Sequence, residues 1–166
     1  MAKCDECGID EQGLSIHDAL DALRSFPRRY TEAVAEMDDE SLRRRPTPDV
    51  WSALEYLVHV REVLELLAMT VPLVLETPGL ALPEIDAEDA AATRPDWVLN
   101  RDLALDGIGT ACAQLVEHGA QQRPEAWSRP FTLGPTSHDA GWLVRHAAHE
   151  GAHHLRDVAR VRAAVT

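Results

Sequence analysis

Apolar positions recur at three- and four-residue spacing in four long stretches of this chain, the signature of helices that each bury one face. Ile16, Leu20, Leu23, Pro27, Tyr30, Val34 and Met37 mark the first, over about Ser15 to Met37. Ser15 with Asp18 three residues on is a capping-box pattern, and Pro27 predicts a kink or break. A second capping box, Ser52 to Glu55, opens a stripe of Tyr56, Val60, Val63, Leu64, Leu67 and Val71 that Pro72 should bend or end. The third stretch covers about Trp97 to His118, with Val98, Leu105, Ile108, Cys112 and Leu115 facing inward and Gly119 suited to a left-handed C-terminal cap. The fourth starts near Thr136 or Ser137 and runs almost to the end. Residues 77–96, with Pro78, Pro83 and Pro95 on an acidic background, read as a long loop with a helical turn at Ile85 to Ala92. Gln121 to Pro135 reads as a second loop. No stretch alternates β-branched residues, so no sheet is expected. The pattern predicts an all-α, antiparallel four-helix bundle over residues 13–166, behind an N-terminal tail of residues 1–12.

Composition narrows the function classes. The chain has 166 residues, one domain's worth, and 45% are hydrophobic, enough for a core. Sixteen Lys and Arg stand against 28 Asp and Glu, a net charge of −12. That balance argues against nucleic acid and anionic membranes as partners, because phosphate binding needs clustered positive charge. Against it, Arg43-Arg44-Arg45 reads as a solvated loop. No apolar run reaches the roughly 18–20 residues of a bilayer span. The opening MAKCDECGIDEQG is too polar for a signal peptide, and three Cys (Cys4, Cys7, Cys112) do not make a secreted disulfide scaffold. A cytoplasmic protein is expected. Trp51, Trp97, Trp127 and Trp142 read as packing residues and Cys112 as core.

The chemistry lies in Arg145-His146-Ala-Ala-His149-Glu150-Gly-Ala-His153-His154-Leu-Arg156-Asp157. His149-Glu150-x-x-His153 spells the zincin signature, in which both His bind zinc and the Glu is a general base. A rival pair, Glu150 and His154, has the same four-residue spacing. A helical wheel at about 100° per residue separates them. With Glu150 at zero, the apolar face of Leu143, Val144, Val158 and Val161 centres near about 80°, and His154 falls inside it at about 40°. His149 and His153 fall at about 260° and about 300°, beside Arg145, Arg156 and Arg160. Glu150 and His154 therefore point inward and the zincin pair points to the rim. An inward carboxylate needs a cation, supplied by a divalent metal or by an ion pair with His154. On the facing helix His59 flanks the apolar stripe and offers a third ligand. Three protein ligands leave a position open, as catalytic metal sites do.

The W-S-x-x-E-x-L-x-H run from Trp51 to His59, with the Glu150 and His154 pair on the last helix, resembles the DinB/YfiT-like superfamily of four-helix metal proteins over about residues 13–166. Glu150 and His154 followed by Asp157 is similar to the N-terminal domain of mycothiol-dependent maleylpyruvate isomerases. The resemblance implies His59, Glu150 and His154 as ligands of zinc, or alternatively nickel, and often a homodimer. It implies transfer of a low-molecular-weight thiol, mycothiol or bacillithiol, onto an electrophilic small molecule. Those isomerases carry a further C-terminal domain, and here the sequence ends 12 residues after His154. Alternatives are a non-catalytic metal-binding or stress-response module and a small metal-dependent hydrolase.

In the thiol reading, metal coordination lowers the sulfur's pKa and makes the nucleophile; in the hydrolytic reading a metal-bound hydroxide attacks. Asp157 either orients His154 or pairs with Arg156 or Arg160 at the surface. His146, His149 and His153 read as rim residues, His149 and His153 also as substrate candidates. Cys4-x-x-Cys7-Gly8 is half of a zinc site and lacks a second C-x-x-C, leaving three readings: a second metal site completed by distant His, a redox pair, or a tail.

Overall fold

The computed structural model describes residues 3–84 and 99–166. Four long helices make the bundle: α1 (Ile16–Val34), α3 (Ala53–Glu76), α4 (Arg101–Gln121) and α5 (Ala140–Val165), with a one-turn α2 (Asp39–Arg43) between the first two. The caps read from the sequence close two of them. The Ser15 side chain accepts from the Asp18 amide, and Ser52 with Glu55 forms the reciprocal box at the start of α3. Asn100 and Asp139 cap α4 and α5 in the same way.

α1 packs on α4 and α5, and α3 packs on the same two. Close approaches set the directions. Ile16 lies by Gly141 and Arg162 donates to the Ala33 carbonyl, so α1 and α5 run together. Leu20 lies by Gly119 and Arg61 by Gly107, so α4 runs against α1 and alongside α3. The consecutive helices α3 and α4 are thus parallel neighbours. The loop predicted between them, with its turn at residues 85–92, lies largely outside the described residues, as do Trp97 and Val98 at the predicted start of the third helix. The core runs the length of the bundle, through Phe26, Tyr30, Leu57, Leu64, Ile108, Leu115 and Leu143.

Several expectations are corrected. Neither proline breaks its helix: Pro27 lies inside α1 and Pro72 inside α3. Phe26 and Tyr30 beside Pro27 are fully buried, and their packing outweighs a local cost of about 3 kcal/mol. A small sheet exists where none was expected. β1 (Leu80–Leu82) pairs in parallel with β2 (Pro130–Leu133), and β2 pairs antiparallel with β3 (Thr136–Asp139) through a turn with Gly134 at φ +56°. The last helix consequently starts at Ala140, because residues 136–139 are strand. Gly119 is no left-handed cap: it lies within α4, where an added Cβ would sit 2.6 Å from the Leu20 side chain, so it serves the close approach of α1. Cys112 is core, as read, and burial pushes its thiol up to about 12. Among the described residues no helix is long and apolar enough to cross a membrane.

Candidate metal centre

His59 stands near the start of α3, held there by the Ser52–Glu55 cap. The Arg45 guanidinium pairs with the same Glu55 carboxylate. Trp51, just before the helix, lays its ring against Tyr56 and against His59 at 5.3 Å, so a tryptophan read as a packing residue also fixes the imidazole. Glu150 and His154 come from the middle of α5, one turn apart. The Glu150 Oε2 atom lies 3.4 Å from His154 Nε2 and 3.7 Å from His59 Nε2. The two imidazoles meet edge to face at 4.8 Å, and one donor atom from each residue fits within 4.8 Å of the others. Donors about 2.05 Å from a tetrahedral ion stand about 3.3 Å apart, so this set is near the spacing zinc requires.

The electrostatics suit a cation. Burial opposes the Glu150 charge, but hydrogen bonds from His154 and His59 overcome it and hold the carboxyl far below its usual range. Burial likewise opposes charge on His154, yet Asp157 and Glu150 raise it to about 9. Asp157 is buried, lies 2.8 Å from His154 Nδ1, and pairs on its other oxygen with Arg160. Asp157 thus touches one partner from each of the two readings, His154 and Arg160, from a buried position. It orients the imidazole so that Nε2 faces Glu150, and its other oxygen takes the guanidinium of Arg160, which itself is exposed.

A cavity of about 430 Å³ reaches this centre at His154, lined also by Tyr56, His153, Asp157 and Arg160 among others. The Tyr56 ring lies against His154 at 5.5 Å, tilted by 30°. Sequence reasoning had placed Tyr56 only in the apolar stripe; its position three residues before His59 was the available signal.

The zincin pair lies where the wheel put it, off the Glu150 face. His149 and His153 are nevertheless mostly covered, because residues 3–13 lie along α5. Glu11 is buried and sits 2.7 Å from His146 Nδ1, and Glu6 lies 3.3 Å from His153 Nε2. Cys4 and Cys7 come within reach of His149 and His153. Glu6 and Glu11 were missed in the sequence, where no local pattern links them to residues some 135 positions away.

A family model described as the DinB superfamily matches residues 22–158. No curated protein matches the chain. Among solved structures, YfiT from Bacillus subtilis, described as a probable metal-dependent hydrolase with an unusual four-helix bundle topology, superposes with a TM-score of 0.73 at 15% identity, covering 92% of this chain and 91% of that one. The bundle is thus a fold seen elsewhere, and the family model's match over most of the sequence shows that this chain belongs to the DinB superfamily.

Proposed function

We propose that this chain is a divalent-metal-dependent enzyme whose ion is held by His59, Glu150 and His154. The supporting observation is the convergence of two imidazoles and one carboxylate, from two helices, at near-tetrahedral spacing beside a cavity. A divalent cation there supplies Lewis acidity, which lowers the pKa of a thiol or water brought to the open position. The chain's own groups do the rest. Asp157 keeps a His154 proton on Nδ1, so that Nε2 is the nitrogen that gives up its proton and offers its lone pair to the ion. Trp51 and Tyr56 wall the imidazoles and limit water. Glu150 serves as a ligand, because its carboxylate already lies between two imidazoles and has no separate position from which to act as a base.

The finer reading is transfer of a low-molecular-weight thiol, mycothiol or bacillithiol, to an electrophilic carbon: the sulfur–carbon bond forms, the thiol proton passes to solvent, and either the leaving group departs with the electron pair of its bond or, at a double bond, the neighbouring carbon takes a proton back from solvent. Zinc suits the donor set best, with nickel as the alternative. The test is conjugate formation by zinc-loaded protein with mycothiol or bacillithiol and a chromogenic electrophile. His59→Ala, Glu150→Ala and His154→Ala should each abolish it. Absence of conjugate with both thiols in fully loaded protein overturns the thiol reading. Metal-dependent ester or amide hydrolysis without thiol establishes the second reading, which the likeness to YfiT favours.

A further inference from the structure

The Cys4-x-x-Cys7-Gly8 segment is absorbed by neither reading above, and the structure gives it company. The loop is built in the manner of a metal-binding knuckle. Cys4 N–H donates to the Ile9 carbonyl at 2.9 Å, Gly8 N–H donates to the Cys4 carbonyl at 2.8 Å, and Gly8 takes the left-handed conformation at φ +78° that lets the chain turn back after the second cysteine. Both cysteines are unbridged. The two sulfurs face the outer edge of α5, where His149 and His153 are one turn apart. One donor from each of the four residues lies within 4.8 Å of the others, and Cys4 Sγ is 3.7 Å from His153 Nδ1. With metal–sulfur bonds of about 2.3 Å and metal–nitrogen bonds of about 2.05 Å, a tetrahedral site separates sulfur from nitrogen by about 3.6 Å.

His149 supplies an independent observation. Both of its ring nitrogens are inaccessible to solvent and neither has a hydrogen bond among the described residues; the nearest carboxylate, Glu11, is 3.8 Å from Nδ1. Ring nitrogens cut off from water in that state are costly unless something takes the lone pair. His153 is oriented for the same purpose: its Nε2 faces the carboxylates of Glu6 at 3.3 Å and Asp157 at 3.5 Å, whose charge favours the proton on that nitrogen, while Nδ1 turns to the sulfur.

We propose that Cys4, Cys7, His149 and His153 bind a structural zinc ion that fastens the N-terminal segment to α5. Binding displaces two thiol protons to solvent; the two thiolates then balance the dication, and the neutral imidazoles complete the tetrahedron. With four protein ligands the site is closed, so its role is to hold structure. It does not depend on the function proposed above. It does explain how residues 3–13, which have no helix or strand of their own, stay on the bundle.

Zinc content of reduced, purified protein and the absorption of its cobalt-substituted form decide the matter. The expected result is two zinc per chain, falling to one in Cys4→Ser/Cys7→Ser and to one in His59→Ala/Glu150→Ala. Cobalt protein should show a sulfur-to-metal charge-transfer band that survives His59→Ala/Glu150→Ala and disappears in Cys4→Ser/Cys7→Ser. The other centre has no sulfur, so its failure to bind metal leaves this signature untouched. Absence of that band in reduced, cobalt-loaded wild-type protein overturns the proposal, as does a Cys4–Cys7 disulfide in protein isolated with zinc present. Should the double serine variant not fold, His149→Ala alone must still remove one zinc; retention of both is a refutation.

Discussion

Metal binding at His59, Glu150 and His154 has to expel a proton, and the structure sets how strongly pH should matter. Asp157 and Glu150 outweigh the burial penalty and raise His154 to about 9, so near neutral pH its imidazole carries both protons, Nδ1–H toward Asp157 and Nε2–H toward Glu150. A metal takes the Nε2 position, while the Nδ1–H to Asp157 remains. Apparent affinity should therefore rise about tenfold per pH unit below 9, a suppression on the order of a hundredfold at pH 7 relative to the plateau. The metal-free protein responds in the opposite sense. A histidine raised from 6.5 to about 9 on folding contributes stability that is complete below 6.5 and lost as pH climbs through 9. Glu150, depressed on folding, contributes stability present above 4.5 and lost in acid. The assay is competition with a chromogenic zinc chelator across pH, with proton release counted by calorimetry in buffers of different ionisation enthalpy, using Cys4→Ser/Cys7→Ser so that no thiol protons contribute. About one proton per metal is expected near neutrality. A pH-independent affinity with no proton released would show that this imidazole is not a ligand.

Two further outcomes follow from single contacts. Asp157→Asn removes the carboxylate that raises His154 and holds its Nδ1–H. Zinc affinity at high pH should fall by about 10–100-fold, and its pH dependence should flatten because His154 then titrates lower. Gly151→Ala places a Cβ 2.3 Å from the ring of Phe26, which is fully buried and cannot swing away. Overpacking costs typically about 1–3 kcal/mol and exceeds the roughly 1 kcal/mol of helix propensity that alanine adds, so the urea midpoint should drop with the slope unchanged.

What the chain disclosed before any coordinates was what short-range rules carry. Ser15 and Ser52 announce helix starts because a side-chain oxygen and an amide three residues on are local partners. The wheel separated Glu150 and His154 from His149 and His153 because helical period alone decides which face a residue takes. The strands were not legible, since three or four residues cannot display an alternation, and β1 finds β2 across some 50 intervening residues. Gly119 misled because one residue type serves two purposes, a left-handed cap and a close helix contact, and only the neighbour Leu20 distinguishes them. The docking of residues 3–13 was hidden for a similar reason: the Glu11–His146 contact spans nearly the whole chain.

The H-E-x-x-H string shows how a linear motif can join residues that geometry separates. His149 and Glu150 are adjacent in sequence, yet about 100° of helical rotation turns one toward the N-terminal segment and the other toward His59. The same offset separates His153 from His154. The helix thus carries two donor pairs of equal spacing, staggered by one residue, and the string takes its histidines from one and its glutamate from the other. Asp157 touches both, through His153 Nε2 at 3.5 Å and His154 Nδ1 at 2.8 Å. A single carboxylate therefore orients an imidazole of each pair, so a change that alters its charge must be felt on both faces of α5, whereas loss of His59 or of Cys4 is felt on only one.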